Sequence, residues 1–278
     1  MKRVAIQGYR GSFHHIVAEG IEGAEVEILA CDTFREVAQA VEQRRVDYGI
    51  MAIENSIAGS ILPNYNILQN CNVRVTGEAY LRIRQNLMVN RGVTLDDIRE
   101  VESHQMALLQ CTDYLDKHRW KLIESADTAL SAAQLQASGS RSKAVIASSL
   151  AAEIFNLDII APDIHTIRDN YTRFLRLDYC DRAVEEPIPS IGKGKASFYF
   201  KIGNTSGSLY DTLRCFEGLR LNMTKLQSYP IPTEPWHYMF HTDMEFEDGA
   251  DFAQAIERLR ERNVEVQIYG IYQKGTEL

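Results

Sequence analysis

The stretch DYGIMAI, Asp47 to Ile53, is short and almost wholly apolar, the pattern of a strand covered on both faces of a parallel sheet. Such a strand needs a layer on either side, and this commits the chain to an α/β architecture. The residues before it supply one layer. Thr33 and Glu36 stand as a capping box, and Phe34, Val37, Ala38 and Val41 share one face of a helix predicted from Thr33 to Arg45. Upstream, VAIQ, SFHHIVAEGI and VEILA read as strand, helix and strand. Downstream the scheme repeats. EAYLRIRQNLMV reads as a strand, REVESHQMALLQCTDYL as a strand running into a helix, DTALSAAQLQASG as a helix stopped by Gly139, and AVIASSLAAEIF as strand then helix. Two successive α/β units predict two lobes around a cleft, with ligand groups at the carboxyl ends of strands.

Periodicity fails at EEPIPSIGKGK, Glu185 to Lys195, which is read as a linker. The predicted division is a catalytic unit over 1–184, with its second lobe near 77–160, and a separate unit over 196–278. The latter runs ASFYFKI, SLYDTLRCF, LNMTKLQSY, WHYMFHTDMEF, DFAQAIERLRER and VEVQIYGI. That order is βαββαβ, the ferredoxin-like arrangement. A chain of 278 residues, 45% hydrophobic and 24% charged, can fill the cores this division requires.

A formal net charge of −8, with no Lys/Arg cluster, excludes a nucleic-acid surface, so an anionic ligand must be attracted locally by single arginines or helix N-termini. No apolar run is long enough to span a membrane and MKRVAIQGYR is not a secretory leader, so the expected compartment is the cytoplasm. Cys31, Cys71, Cys111, Cys180 and Cys215 are odd in number and widely spaced, and predict neither a disulfide framework nor a structural metal.

Three loops carry candidate chemistry. GYRGSFHH, Gly8 to His15, joins a strand to a helix; it can receive an anion, or simply turn tightly with Ser12 as the cap, and it lacks the dinucleotide glycine spacing. IENSIAGS sets Glu54, Asn55 and Ser56 after the buried strand, as turn residues or as substrate contacts. ESHQMALLQC sets Ser103 and His104 at a strand-to-helix junction, with Gln110 about two turns further on. In DNYTRFLRL, Asp169 to Leu177, Thr172 and Arg173 adjoin where a loop becomes a strand.

Taken in order, GYRGSFHH, AIENSIAGS, SHQMALLQC, DTALSAA, AVIASSLAA and NYTRFL resemble the prephenate dehydratase family over roughly the first 180 residues, and the tail resembles an ACT domain. The resemblance implies a bilobal fold like that of type II periplasmic binding proteins. It also implies decarboxylating dehydration of prephenate to phenylpyruvate in L-phenylalanine biosynthesis, with no cofactor. The family's catalytic threonine falls on Thr172 and its catalytic amides on Asn55 and Gln110. Arg173, Phe174, Ser12, Glu54, Ser56 and Ser103 are the expected substrate-binding set, with Phe174 as apolar wall and Arg173 as a carboxylate partner. Strand alternation sets a condition: if Thr172 lies within a regular strand, Arg173 points to the other face and is structural. Departures include Ala52 for a proline before IENS, and Gln105-Met106 for proline-glutamine after SH.

In the ACT-like tail the family's glycine-alanine-leucine turn reads Gly207-Ser208-Leu209, and its glutamate-serine-arginine-proline stretch reads Gln227-Ser228-Tyr229-Pro230. The resemblance implies a homodimer or homotetramer that binds phenylalanine through Gly207, Leu209, Asn222 and Ser228. Loss of two charges at Gln227 and Tyr229 predicts weakened or altered feedback. Arogenate dehydration and a non-catalytic bilobal sensor are the alternative functions.

Overall fold

A computed structural model describes residues 1–182, 188, 191–231 and 233–278. The elements follow the predicted alternation: β1 (Arg3–Gln7), α1 (Phe13–Glu22), β2 (Glu27–Cys31), α2 (Phe34–Glu42), β3 (Tyr48–Asn55), β4 (Gly59–Ser60), α3 (Leu62–Asn70) and β5 (Val73–Arg82). A second series comprises β6 (Asn86–Val89), β7 (Glu100–His104), α4 (Gln105–Gln110), α5 (Thr112–Leu115), β8 (Lys121–Ser125), α6 (Thr128–Ser138), β9 (Lys143–Ala147), α7 (Ser149–Phe155) and β10 (Asp158–Ala161). Then come β11 (Tyr171–Tyr179), β12 (Gly194–Lys201), α8 (Ser208–Leu213), β13 (Leu221–Pro230), β14 (Tyr238–Phe246), α9 (Gly249–Glu261) and β15 (Val266–Tyr272).

These strands form separate sheets. The first has the order β2-β1-β3-β11-β5 with β4 paired to β3, the second β10-β6-β9-β7-β8, and the third β13-β14-β12-β15. β3 is buried along Tyr48–Ile53, as its apolar run predicts, because α1 covers one face and α2 and α3 the other. The chain crosses from the first sheet to the second at 83–85 and returns over 162–170 before β11 inserts antiparallel between β3 and β5. The third sheet carries α8 and α9 on one face in βαββαβ order. Its opposite face packs on the first sheet, where Tyr199, Met239, Tyr269 and Tyr272 join Tyr65, Leu68, Val73 and Val75 in one core. Gly270 sits there because an added Cβ would fall 1.8 Å from the Val75 carbonyl oxygen.

Two predicted boundaries shift. EAYLRIRQNLMV is not one strand: β5 ends at Arg82 and β6 begins at Asn86, in different sheets. The second lobe's sheet therefore starts near residue 86 rather than 77. Much of the predicted linker lies outside the described residues, but its final two residues, Gly194 and Lys195, open β12.

The buried junction between the first and third sheets is ionic as well as apolar. Arg173 Nε donates to Glu78 at 2.6 Å, its Nη1 contacts Asp243, and its Nη2 donates to the Tyr272 hydroxyl at 3.0 Å. Lys195 Nζ reaches Glu78 at 3.1 Å and the Tyr80 hydroxyl at 3.1 Å. Arg173 and Lys195 thus balance Glu78 and Asp243, as burial demands. Burial raises the Asp243 carboxyl, but the Arg173 guanidinium, Lys195 and the Ser197 hydroxyl together outweigh it and hold the group below the usual carboxylate range.

Candidate active site

Thr172 is the second residue of β11, opposite Asn55 at the end of β3 and Leu81 in β5. Asn55 Nδ2 donates to Thr172 Oγ1 at 3.0 Å and to Asn170 Oδ1 at 2.7 Å, and also approaches the Tyr171 carbonyl oxygen at 3.1 Å. Asn55 Oδ1 accepts from the backbone N–H groups of Ile57 at 3.0 Å and Ala58 at 2.9 Å, which shapes the turn into β4. Both ends of the Asn55 amide are therefore engaged within the protein. Its geometry holds both the Thr172 hydroxyl and the turn into β4, the turn role that the sequence left open beside a substrate contact. Ser56 Oγ accepts from Tyr171 N–H at 2.9 Å and ties the same loop to β11.

Strand alternation decides the adjacent pair. Thr172 lies inside the strand, so Arg173 projects to the opposite face, into the ionic junction with the third sheet. Its assignment to a substrate carboxylate is corrected accordingly. Glu54 shares that face: its Oε1 lies 2.7 Å from Lys225 Nζ, which also removes it from the substrate set. Phe174 is 1% exposed in the core beneath α1 and is a packing residue rather than a cleft wall. Ser103 is wholly buried and donates to the Ile146 carbonyl oxygen at 2.6 Å, bracing β7 against its neighbour. Ser12 is the buried N-cap of α1, accepting from His15 N–H.

Gln110 ends α4 in the second lobe. Its backbone oxygen accepts from Thr166 N–H at 2.8 Å, attaching it to the returning crossing a few residues before Thr172. Gln85, on the outgoing crossing, donates through Nε2 to Gln110 Oε1 at 3.1 Å. Sequence reasoning passed over Gln85 because it sat within an apparent strand. The lobes also meet at the glycine loop. Ser148, the N-cap of α7, donates to the Gly11 carbonyl oxygen, and Gly8, at φ +90°, leaves room for Asp127, whose Oδ2 would lie 2.7 Å from an added Cβ. Burial raises the Asp127 carboxyl. The Cys111 thiol is pushed up to about 12 by burial and is inert as a nucleophile.

The two histidines of the glycine loop have different surroundings. His15 Nδ1 accepts from Gly11 N–H at 3.0 Å, and His14 lies between Phe34 and Phe174, with ring centroids 5.4 and 5.0 Å away. Burial lowers His14 to about 3, and lowers His241, in β14 of the third sheet, to about 4. Both are neutral in the fold, whereas the unfolded chain protonates them below its value of 6.5. Folded pKa values depressed in this way cost nothing above pH 6.5, and destabilise increasingly as pH falls toward 4, by about 1.4 kcal/mol per pH unit per histidine. Urea unfolding at several pH values between 7.5 and 4.5 should show this decline, and H14L should have a shallower slope. An unchanged slope would mean that His14 is not its source.

The architecture is that of a two-lobed small-molecule protein with an ordered hydroxyl–amide pair at one crossing and an amide–amide pair at the other. The chain belongs to the prephenate dehydratase family, whose model matches residues 4–181. It is 35% identical over 287 residues to the Arabidopsis thaliana chloroplastic arogenate dehydratase/prephenate dehydratase 2, covering 99% of this chain and 73% of that protein. Among solved structures, GqqA, described as a quorum-quenching acylase, superimposes with a TM-score of 0.87 at 25% identity over 98% of each chain. The prephenate dehydratase from Arthrobacter aurescens, solved in complex with L-Phe, gives a TM-score of 0.84 at 24% identity, covering 98% of this chain and 89% of that one. No helix among the described residues is long and apolar enough to cross a membrane.

Proposed function

We propose that the chain is a prephenate dehydratase of L-phenylalanine biosynthesis, converting prephenate to phenylpyruvate. The observation that carries this is the state of the Thr172 hydroxyl. Its oxygen accepts from Asn55, which leaves its proton for an acceptor in the cleft. In the reaction the bond to the ring carboxylate breaks, its electron pair enters the ring, and the carbon–oxygen bond to the ring hydroxyl breaks as the ring becomes aromatic. Thr172 donates a hydrogen bond to the departing oxygen, which takes one proton from solvent and leaves as water, so that the prephenate dianion and one proton give the phenylpyruvate anion, carbon dioxide and water. A threonine is a weak acid, so positioning and charge stabilisation are its main contribution. Gln110 directs an amide toward a substrate carboxylate, and Ser56 holds the loop that carries Asn55.

The third sheet is read as an ACT domain that assembles two or four copies and senses phenylalanine. Gly207, at φ +84°, and Leu209 lie at the end of the sheet where Tyr229 and Lys201 both oppose Met239. Ser228 is at that end, whereas Asn222 lies six residues back along β13, about 20 Å away at strand rise. Asn222 and Ser228 can share one amino acid only if a second copy supplies one of them, which supports a dimer joined along edge strand β13. The departures at Gln227 and Tyr229 face the first lobe instead. Gln227 Oε1 accepts from Ser60 Oγ at 3.4 Å, and the Tyr229 hydroxyl accepts from Asn66 Nδ2 at 3.4 Å. With those positions given to lobe contacts, feedback by phenylalanine is expected to be weakened. The proposed compartment is the cytoplasm, supported by five cysteines that are odd in number and too widely spaced for a disulfide framework.

Phenylpyruvate absorbance under alkali tests the substrate, run with prephenate and arogenate in parallel and with phenylalanine added. The expected result is the higher kcat/KM on prephenate, with partial inhibition at millimolar phenylalanine. Turnover of arogenate to phenylalanine without turnover of prephenate would replace the substrate assignment, and full inhibition at low-micromolar phenylalanine would overturn weakened feedback.

A further inference from the structure

We infer that Gln85 is a positioning residue that turns the Gln110 side chain so that its N–H groups, rather than its carbonyl, face the cleft. The inference rests on the assignment of Gln110 to prephenate. Gln85 is 3% exposed, in the crossing between β5 and β6. Its backbone is held on both sides: its N–H donates to His165 Nδ1 at 3.4 Å and its carbonyl oxygen accepts from Ile164 N–H at 2.9 Å. From that fixed base its Nε2 donates to Gln110 Oε1 at 3.1 Å. Oxygen and nitrogen of a primary amide diverge from one carbon, so drawing Oε1 toward Gln85 turns Nε2 away from it.

Among the described residues no acceptor engages Gln110 Nε2. The returning crossing holds the backbone of the same residue through Thr166, so the side chain is fixed at both ends. A dianion in the cleft needs donors, and a carbonyl oxygen turned toward it would repel it. Gln85 Oε1, by contrast, is buried with no partner. An apolar side chain of the same shape would fill the space without that unsatisfied acceptor. The donor end of Gln85 is therefore the part with a purpose. The arrangement parallels the first lobe, where one amide, Asn55, orients the hydroxyl of Thr172.

The test uses Q85M, which keeps shape and deletes the donor, Q85E, which can only accept when ionised, and Q110A, alone and combined with Q85M. Steady-state kinetics with prephenate and thermal unfolding are measured for each. Q85M should lower kcat/KM about 10-fold or more without lowering the melting temperature. Q85E should fall at least as far, because a carboxylate draws Gln110 Nε2 inward. In the Q110A background, Q85M should cause no further loss, since its effect acts through a side chain already removed. Parental kinetics in folded Q85M, or an equal loss with and without the Gln110 side chain, would overturn the inference. If Q85M fails to fold, parental activity in Q85E does so. A Q110A chain with parental kinetics would instead remove Gln110 from the proposed function, a distinct outcome.

Discussion

Replacing Thr172 with Val is expected to lower turnover of prephenate by about 10²-fold or more, as loss of one donor aimed at developing charge does, while the protein still folds. Valine keeps the branched shape that suits β11. The deleted oxygen is one of several acceptors around Asn55 Nδ2, which retains Asn170 Oδ1 at 2.7 Å. No buried donor is orphaned, and the stability cost should stay near 1 kcal/mol. A fall in kcat with KM nearly unchanged would mark an interaction made in the transition state. Near-normal kcat in T172V would take the hydroxyl out of the mechanism.

The neighbouring residue should behave in the opposite way. Replacing Arg173 with Met is expected to destabilise the fold by about 3–5 kcal/mol, because Glu78 and Asp243 stay buried after losing the guanidinium that joins them. For a chain of this size each kcal/mol lowers the melting temperature by a few degrees, so a drop of about 6 °C or more should be seen. The double variant R173M/D243L removes opposite charges together and leaves Lys195 with Glu78, and it should recover much of the loss. Folded R173M should keep a near-parental KM for prephenate, since the side chain lies on the face away from Thr172. A large rise in KM without loss of stability would return Arg173 to the substrate. Adjacent residues on one strand would thus separate chemistry from domain docking.

What could be read in the sequence follows from how local each signal is. The buried run at Tyr48–Ile53 and the cap at Thr33 are short-range patterns, and they place β3 and α2 to within a few residues. The position of Asn55 after that strand follows directly. The crossing at Ile83–Gln85 was hidden because the alternation of Leu81, Arg82, Ile83 and Arg84 runs on past the end of β5 with no glycine or proline to mark a break, so two strands of different sheets read as one. The two-residue period of a strand already set Arg173 opposite Thr172 once Thr172 lay inside β11, but its partners at positions 78, 243 and 272 come from distant segments that no local pattern reveals. The contacts of Gln227 and Tyr229 with Ser60 and Asn66 were not legible because those partners lie about 160 residues away in the chain. In each of these places tertiary contacts between distant segments decided the outcome, while helices and strands with their own caps and periods were legible.

The central claim is that the cleft beside Thr172 performs a reaction rather than only holding a ligand. Quantifying carbon dioxide and phenylpyruvate released from prephenate by the purified chain tests it most directly. One of each per molecule of prephenate consumed, at a rate that falls about 10²-fold or more in T172V, is the predicted result. Prephenate bound by the parent chain and recovered unchanged would contradict it.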